Sequence, residues 1–187
     1  MSEAIAQTPF ADFFIRRFTP SDRDAVLSLL TDAFETPAEA QLVECLEQKD
    51  AVTAAYVAHS QGEIIGYCAF SPVTAAPTFS RQHLFGHPLL GLAPVAVAPE
   101  HQNRGVGHQL VSDALGDAAL RFSPALIVVL GDPRYYQRFG FEPASNWGLT
   151  WDGGDVDEAF RAIAISDIPC DCDRSVSYHA AFDIFGD

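Results

Sequence analysis

The stretch between residues 89 and 130 constrains this chain more than any other. Residues 89–98 are largely apolar and run into a loop, Pro99-Glu100-His101-Gln102-Asn103-Arg104-Gly105-Val106-Gly107. Apolar residues at 106, 110, 114, 115 and 118 then recur every three or four positions as far as Arg121, the period of a helix that buries one side. Residues 125–130, Ala-Leu-Ile-Val-Val-Leu, form a continuous apolar run, as expected of a strand covered on both faces. Strand, helix, strand in this order predicts two parallel neighbours joined by a right-handed crossover. Pro94 falls inside the first strand. Proline has no amide to give to a ladder, so that strand needs a bulge or a free edge there.

The loop itself suggests a ligand. The first amides of a helix lack internal partners and lie at the positive end of its dipole. They form an anion site, and glycine lets phosphate oxygens approach the backbone with no Cβ in the way. Arg104 adds a positive charge beside Gly105 and Gly107. The spacing excludes two common phosphate loops. Leu110 stands where a dinucleotide fingerprint needs its last glycine, and Val106-Gly107-His108 does not supply the Gly-Lys-Ser/Thr of a Walker loop.

Around this centre, residues 13–18 read as a first strand. Ser21 with Asp24 resembles a capping box ahead of a helix carrying Val26, Leu29, Leu30, Ala33 and Phe34. A second helix start is expected at Thr36, with Pro37 in the first turn and Glu39 reaching back, the helix running to about Lys49. Residues 52–58 and 63–70 predict an antiparallel hairpin turning at Ser60-Gln61-Gly62. Residues 72–87 are irregular. Residues 133–139 predict a short helix closed by Gly140, and further strands are expected at 147–151, 160–165 and 175–185. Residues 1–12 read as a flexible leader, and 13–187 as one domain.

Composition narrows the partners. With 48% hydrophobic residues, 187 residues can bury a core without staples. A net charge of −14 with only 11 Lys and Arg argues against nucleic acid, whose phosphates need cations to displace counterions. The acidity suits solubility and would draw a cationic amine. No apolar run reaches a membrane span and no secretory signal is visible, so no membrane partner is expected and the cytoplasm is the default location. Cys45, Cys68, Cys170 and Cys172 do not make a disulfide framework, and Cys170-Asp-Cys172 is too tight for half of a usual zinc site. Free thiols and no metal are expected.

The hexapeptide from Gln102 to Gly107 does not stand alone. Together with Leu92-Ala93-Pro94-Val95-Ala96-Val97, Val129-Leu130-Gly131-Asp132-Pro133 and Tyr135-Tyr136-Gln137-Arg138-Phe139-Gly140-Phe141, it resembles the GNAT superfamily of N-acetyltransferases, in particular its YhbS-like branch. Tyr178-His179-Ala180-Ala181-Phe182 is similar to that branch's last strand. The resemblance implies an α/β (α+β) fold, with a mixed, mostly antiparallel central sheet that has a parallel splayed strand pair and helices on both faces. It implies acetyl-CoA as cosubstrate. Backbone groups of Val95, Ala96 and Val97 would pair with the pantetheine arm, and Gln102, Asn103, Arg104, Gly105, Val106 and Gly107 would hold the pyrophosphate. Tyr136 matches the tyrosine that commonly acts as general acid toward the departing thiolate. Tyr135 is expected in the core, and Asp132-Pro133 departs from the Asn seen in many members.

What the resemblance implies is acetyl transfer to a primary amine, small or protein-borne, by direct attack in a ternary complex; the alternative is an acyl-CoA-binding sensor or interaction module without turnover. A homo-oligomer is compatible with the sequence. No carboxylate lies on the strand where some members carry a base, which leaves Glu100, His83, His87 or a water chain. His59, His101, His108 and His179 read as surface or capping residues, and Cys68 as a buried thiol.

Overall fold

The computed structural model describes residues 13–77, 87–154, 156, 158–165 and 174–185. The expected leader, Cys170, Cys172 and His83 lie outside the described residues. A seven-stranded sheet has the order β1-β2-β3-β5-β6-β9-β7. Its strands are β1 (Phe14–Arg17), β2 (Ala54–Ser60), β3 (Glu63–Pro72), β5 (Leu89–Val97), β6 (Leu126–Leu130), β9 (Phe160–Ala164) and β7 (Glu142–Pro143). All neighbours are antiparallel except β5 and β6. A smaller sheet sets β10 (Arg174–Ser177) between β4 (Thr74–Pro77), antiparallel, and β8 (Leu149–Trp151), parallel.

The sheet is sandwiched by helices because its strands alternate. Ala55, Val57, Tyr67 and Ala69 point to one face, against Val26, Leu29 and Leu30 of α1 (Arg23–Ala33) and Ala40 and Val43 of α2 (Ala38–Gln48). Tyr56, Cys68 and Phe70 point to the other, against Leu110, Val111, Ala114, Leu115 and Ala118 of α3 (Val106–Phe122). Leu110 and Val111 are wholly buried, each worth about 1.5–3 kcal/mol relative to exposure.

On β5 the alternation changes hand. Leu90 and Leu92 face α3, yet after Pro94 it is Ala96 that faces α1. The register explains this: Cys68 pairs with Val95 and Phe70 with Leu92, so Ala93 and Pro94 together oppose one residue of β3. One extra residue exchanges the faces of everything beyond it. The Ala93-Pro94 peptide is cis. Of the bulge or free edge expected at Pro94, the register shows the bulge, and it turns the odd-numbered Val95 and Val97 toward α3.

Four expectations need correction. Strand β10 ends at Ser177, and residues 180–185 form a 3-10 helix instead of continuing the strand; Ala181 is buried against Leu42, Leu46 and Ala51, a contact an extended chain would not make. Residues 144–147 are also a 3-10 helix, closed by Gly148 at φ 64°, so the strand starts at Leu149. The box ahead of α1 is set earlier, where Asp22, not Asp24, reaches back to the Thr19 amide at 2.8 Å after a 3-10 turn over Pro20–Asp22. Finally, Glu39 does not reach back at the start of α2. Thr36 Oγ1 accepts from the Ala38 amide at 3.4 Å, while Glu39 Oε2 is buried without a hydrogen-bond partner. Strand β4 and the second sheet were not anticipated.

Candidate active site

The parallel pair parts early. β5 and β6 are in register only from Leu89–Leu126 to Gly91–Val128, after which the two strands diverge. From 92 to 97, the edge of β5 that faces away from β3 pairs with no strand among the described residues. Unpaired N–H and C=O groups along such an edge are a template for an extended ligand.

The loop meets this gap at its wide end. Gly105 caps α3 in the left-handed region at φ 86°, and Asn103 has φ 59°. The first helical bond runs from the Gln109 amide to the Gly105 carbonyl at 3.0 Å, so the amides of Val106, Gly107 and His108 have no carbonyl one turn earlier to bind. The Gln102 side-chain amide donates to the Val97 carbonyl at 3.0 Å and ties the loop to the strand end. A cavity of about 430 Å³ lies here, within the range of about 300–1,000 Å³ that ligand sites occupy. Val95, Ala96, Val97, Gln102, Asn103, Gly105 and Gly107 line it, with His108, Tyr135, Tyr136 and Arg138. Arg104 is exposed and outside the lining, and the Val106 side chain is buried against Ala58 and Ile65, leaving only its amide for a ligand.

The electrostatics run against the protein as a whole. Among the described residues no acidic one lines this cavity, and the first turn of α3 carries none. Arg138 lines it, stacked over the Tyr135 ring at 4.9 Å. A helix N-terminus free of carboxylates, beside an arginine, in a chain of net charge −14 is suited to an anion.

Tyr136 stands at the back of the gap. It sits on α4 (Pro133–Tyr136), whose N-cap Asp132 accepts from the Arg134 amide at 2.8 Å, which is the work Asp132 does in place of an asparagine. A Cβ on Gly131 would come 2.5 Å from the Tyr136 ring, so the glycine lets the ring lie on the end of β6. The residue is 8% exposed, and burial pushes its phenol well above the ordinary range. It remains protonated, able to donate. Tyr135 is only partly a core residue: its hydroxyl covers Gly107, where a Cβ would meet it at 2.8 Å.

A second cavity, of about 230 Å³, lies on the far side of the bulge. Phe34, Glu39, Leu42, Pro94, Leu130 and Phe185 are among its walls, and Val95 and Tyr136 line both cavities. Tyr178 lies against β5 where the strands part, since a Cβ on Gly91 would come 2.5 Å from its ring, and its buried hydroxyl has no partner. Of the candidate bases, Glu100 lines a different cavity with Asp32 and Glu63, and exposed His87 lines neither of these two. His179 accepts from the Ala181 amide at 3.1 Å, a capping role. Cys68 is wholly buried, with burial holding its thiol protonated; it and Cys45 are free. Among the described residues no group of three or more His, Cys, Asp and Glu could hold a metal, and no helix is long and apolar enough to cross a membrane.

Sequence reasoning missed His108, Arg138, Glu39 and Tyr178 as lining or neighbouring groups. The first two had a local signal, adjacent to Gly107 and within the Tyr135 to Gly140 motif. Glu39 and Tyr178 had none, being brought in by elements remote in the chain.

A mixed sheet that opens at its parallel pair, with a helix start at the opening, defines the architecture of the GNAT acetyltransferases, and comparison with known proteins agrees. A family model described as "Acetyltransferase (GNAT) domain" matches residues 52–143. The chain is 36% identical over 177 residues to an uncharacterized N-acetyltransferase, YhbS, of Escherichia coli strain K12, covering 91% of this chain and 99% of that one. The crystal structure of Escherichia coli YhbS in complex with CoA superposes with a TM-score of 0.81 at 34% identity, over 95% of both chains. A GNAT family acetyltransferase from Brucella melitensis, in complex with acetyl-CoA, superposes at 0.71 with 28% identity, over 91% of this chain and 98% of that one. The chain belongs to the GNAT acetyltransferase family.

Proposed function

We propose that this protein transfers the acetyl group of acetyl-CoA to the nitrogen of a primary amine, by direct attack within a ternary complex. The observation that carries this is the position of Tyr136, shared by a cavity at a helix N-terminus that no described carboxylate lines and a cavity across the bulge whose side chains, Glu39 and Tyr136 apart, are apolar. The first fits the cofactor. Its diphosphate lies against the amides of Val106, Gly107 and His108, and its pantetheine arm pairs along the open edge of β5 from Val95 to Val97. YhbS and the Brucella melitensis enzyme, which hold CoA and acetyl-CoA, support this reading. The second cavity admits the acceptor.

An alkylamine, with a pKa near 10.4, must shed a proton before its lone pair attacks the thioester carbonyl. As the N–C bond forms, the carbonyl oxygen gains charge that backbone N–H groups of β5 stabilise. Collapse breaks the C–S bond, the Tyr136 hydroxyl donates to the departing sulfur, and the proton that the new amide nitrogen loses restores the phenol through solvent. A positioned acid of this kind contributes about 10²–10⁴-fold. Tyr136→Phe removes the proton and keeps the ring. Thiol release across an amine panel should fall by about 10²-fold or more, while the thermal shift with acetyl-CoA persists. Undiminished turnover of the variant would remove the assigned role.

A further inference from the structure

Glu39 opens α2, where a carboxylate normally serves the helix by turning back to its free amides. It turns away. Its Oε2 is buried and accepts no hydrogen bond. A carboxylate oxygen removed from water without a partner is costly, and such an arrangement is expected where a ligand completes it. The other side chains that line this cavity are apolar: Glu39 and Tyr136 are its only ionisable residues among those described. Phe34, Leu42, Pro94, Leu130, Phe182 and Phe185 line it together with Glu39. Leu130 is 40% and Phe185 48% exposed, large apolar surface left at the mouth of the cavity.

We propose that Glu39 selects the acceptor, binding the ammonium group of a small monoamine whose apolar or aromatic body fills this cavity; the inference rests on the transferase reading for what happens next, but not for binding. Three features set the class. One half-buried carboxylate with an unpartnered, buried Oε2 calls for one cation. Side chains of Phe, Leu and Pro offer a second charge no partner, so it would be left desolvated and unpaired. A volume of about 230 Å³ is below that of drug-sized sites, about 300–1,000 Å³. Tyr136 and Val95, common to both cavities, set the nitrogen toward the cofactor side. The same Oε2 is a proton acceptor beside the nitrogen that must lose a proton.

The test uses the full chain with 2-phenylethylamine, its neutral isostere 2-phenylethanol, and the diamine putrescine. In the presence of CoA, 2-phenylethylamine should raise the Tm of the wild-type protein and putrescine should not. Glu39→Gln keeps the shape and removes the charge. It should abolish that shift and raise the KM for 2-phenylethylamine at least tenfold, leaving the KM for acetyl-CoA and the weak competition by 2-phenylethanol unchanged. Its own Tm should not fall, because no hydrogen bond to Oε2 is lost; a drop would assign Glu39 a structural role and overturn the proposal. Transfer with equal KM in wild type and variant overturns the proposal and leaves the transferase reading standing. Binding that depends on Glu39 without any transfer upholds the proposal and overturns the transferase reading. An absence of amine binding to the wild-type protein overturns the proposal outright.

Discussion

Replacing Gly105 by valine tests the proposed cofactor site at the start of α3. Gly105 has φ 86°, and a Cβ built there meets no atom within 4 Å. The substitution therefore creates no clash inside the protein. Its cost is conformational, about 1–2 kcal/mol for a side chain held in the left-handed region. In a chain of this size, about 2–4 °C of Tm accompany each kcal/mol, so the unliganded variant should lose about 2–8 °C and remain folded. The open space above Gly105 belongs to the cavity in front of the α3 amides, and the new methyl groups would occupy it. At 100 times its dissociation constant, a ligand stabilises by about 2.7 kcal/mol, which corresponds to a rise of about 5–11 °C for the wild-type protein. The variant should show almost none of that rise at the same acetyl-CoA concentration. Differential scanning fluorimetry with and without acetyl-CoA measures both effects in one experiment. A variant that loses a few degrees unliganded yet gains the full ligand shift would refute the placement of the diphosphate at this helix start.

Two further substitutions probe a support of the site and the entry to α1. Gly131→Ala places a methyl 2.5 Å from the Tyr136 ring and must push it from the end of β6; kcat should fall at least tenfold while the acetyl-CoA thermal shift persists, and an unchanged kcat would detach the ring position from turnover. Asp22 accepts from both Arg16 guanidinium nitrogens at 2.6 and 2.7 Å and from the Thr19 amide and hydroxyl, each at 2.8 Å; the Arg16 bonds foremost hold its carboxyl well below the usual range. With the folded value below the unfolded one of about 3.9, its stabilisation is complete above that pH and is lost as pH falls through it toward the folded value. Asp22→Asn should cost about 2–3 kcal/mol at pH 7 and flatten the stability profile below about pH 4; an equally steep acid limb by urea titration would contradict this.

Much of the fold was legible because its signals are local. The helical period of 106, 110, 114, 115 and 118, the apolar run at 125–130 and the hairpin at Gln61-Gly62 each state their own geometry within a few residues. Pro94 announced a bulge because a missing amide is a property of the residue itself. Elements whose conformation is decided by distant contacts were misread. Residues 180–185 look extended in sequence, but Ala181 is drawn into the cluster of Leu42, Leu46 and Ala51 as part of a 3-10 helix.

The same division runs through the site. Chain order alone determined the half proposed to bind phosphate, since Gln102 to Gly107 is a loop and a helix start, and bare amides there follow from covalent connectivity. Tertiary structure decided the acceptor half. Glu39 has the sequence context of a capping residue, and nothing within a turn of it shows that Pro94, Leu130 and Phe185, from three other elements, will surround it. Whether a carboxylate caps a helix or waits for a cation depends on which atoms exclude water from it, and that is a property of packing rather than of sequence neighbours.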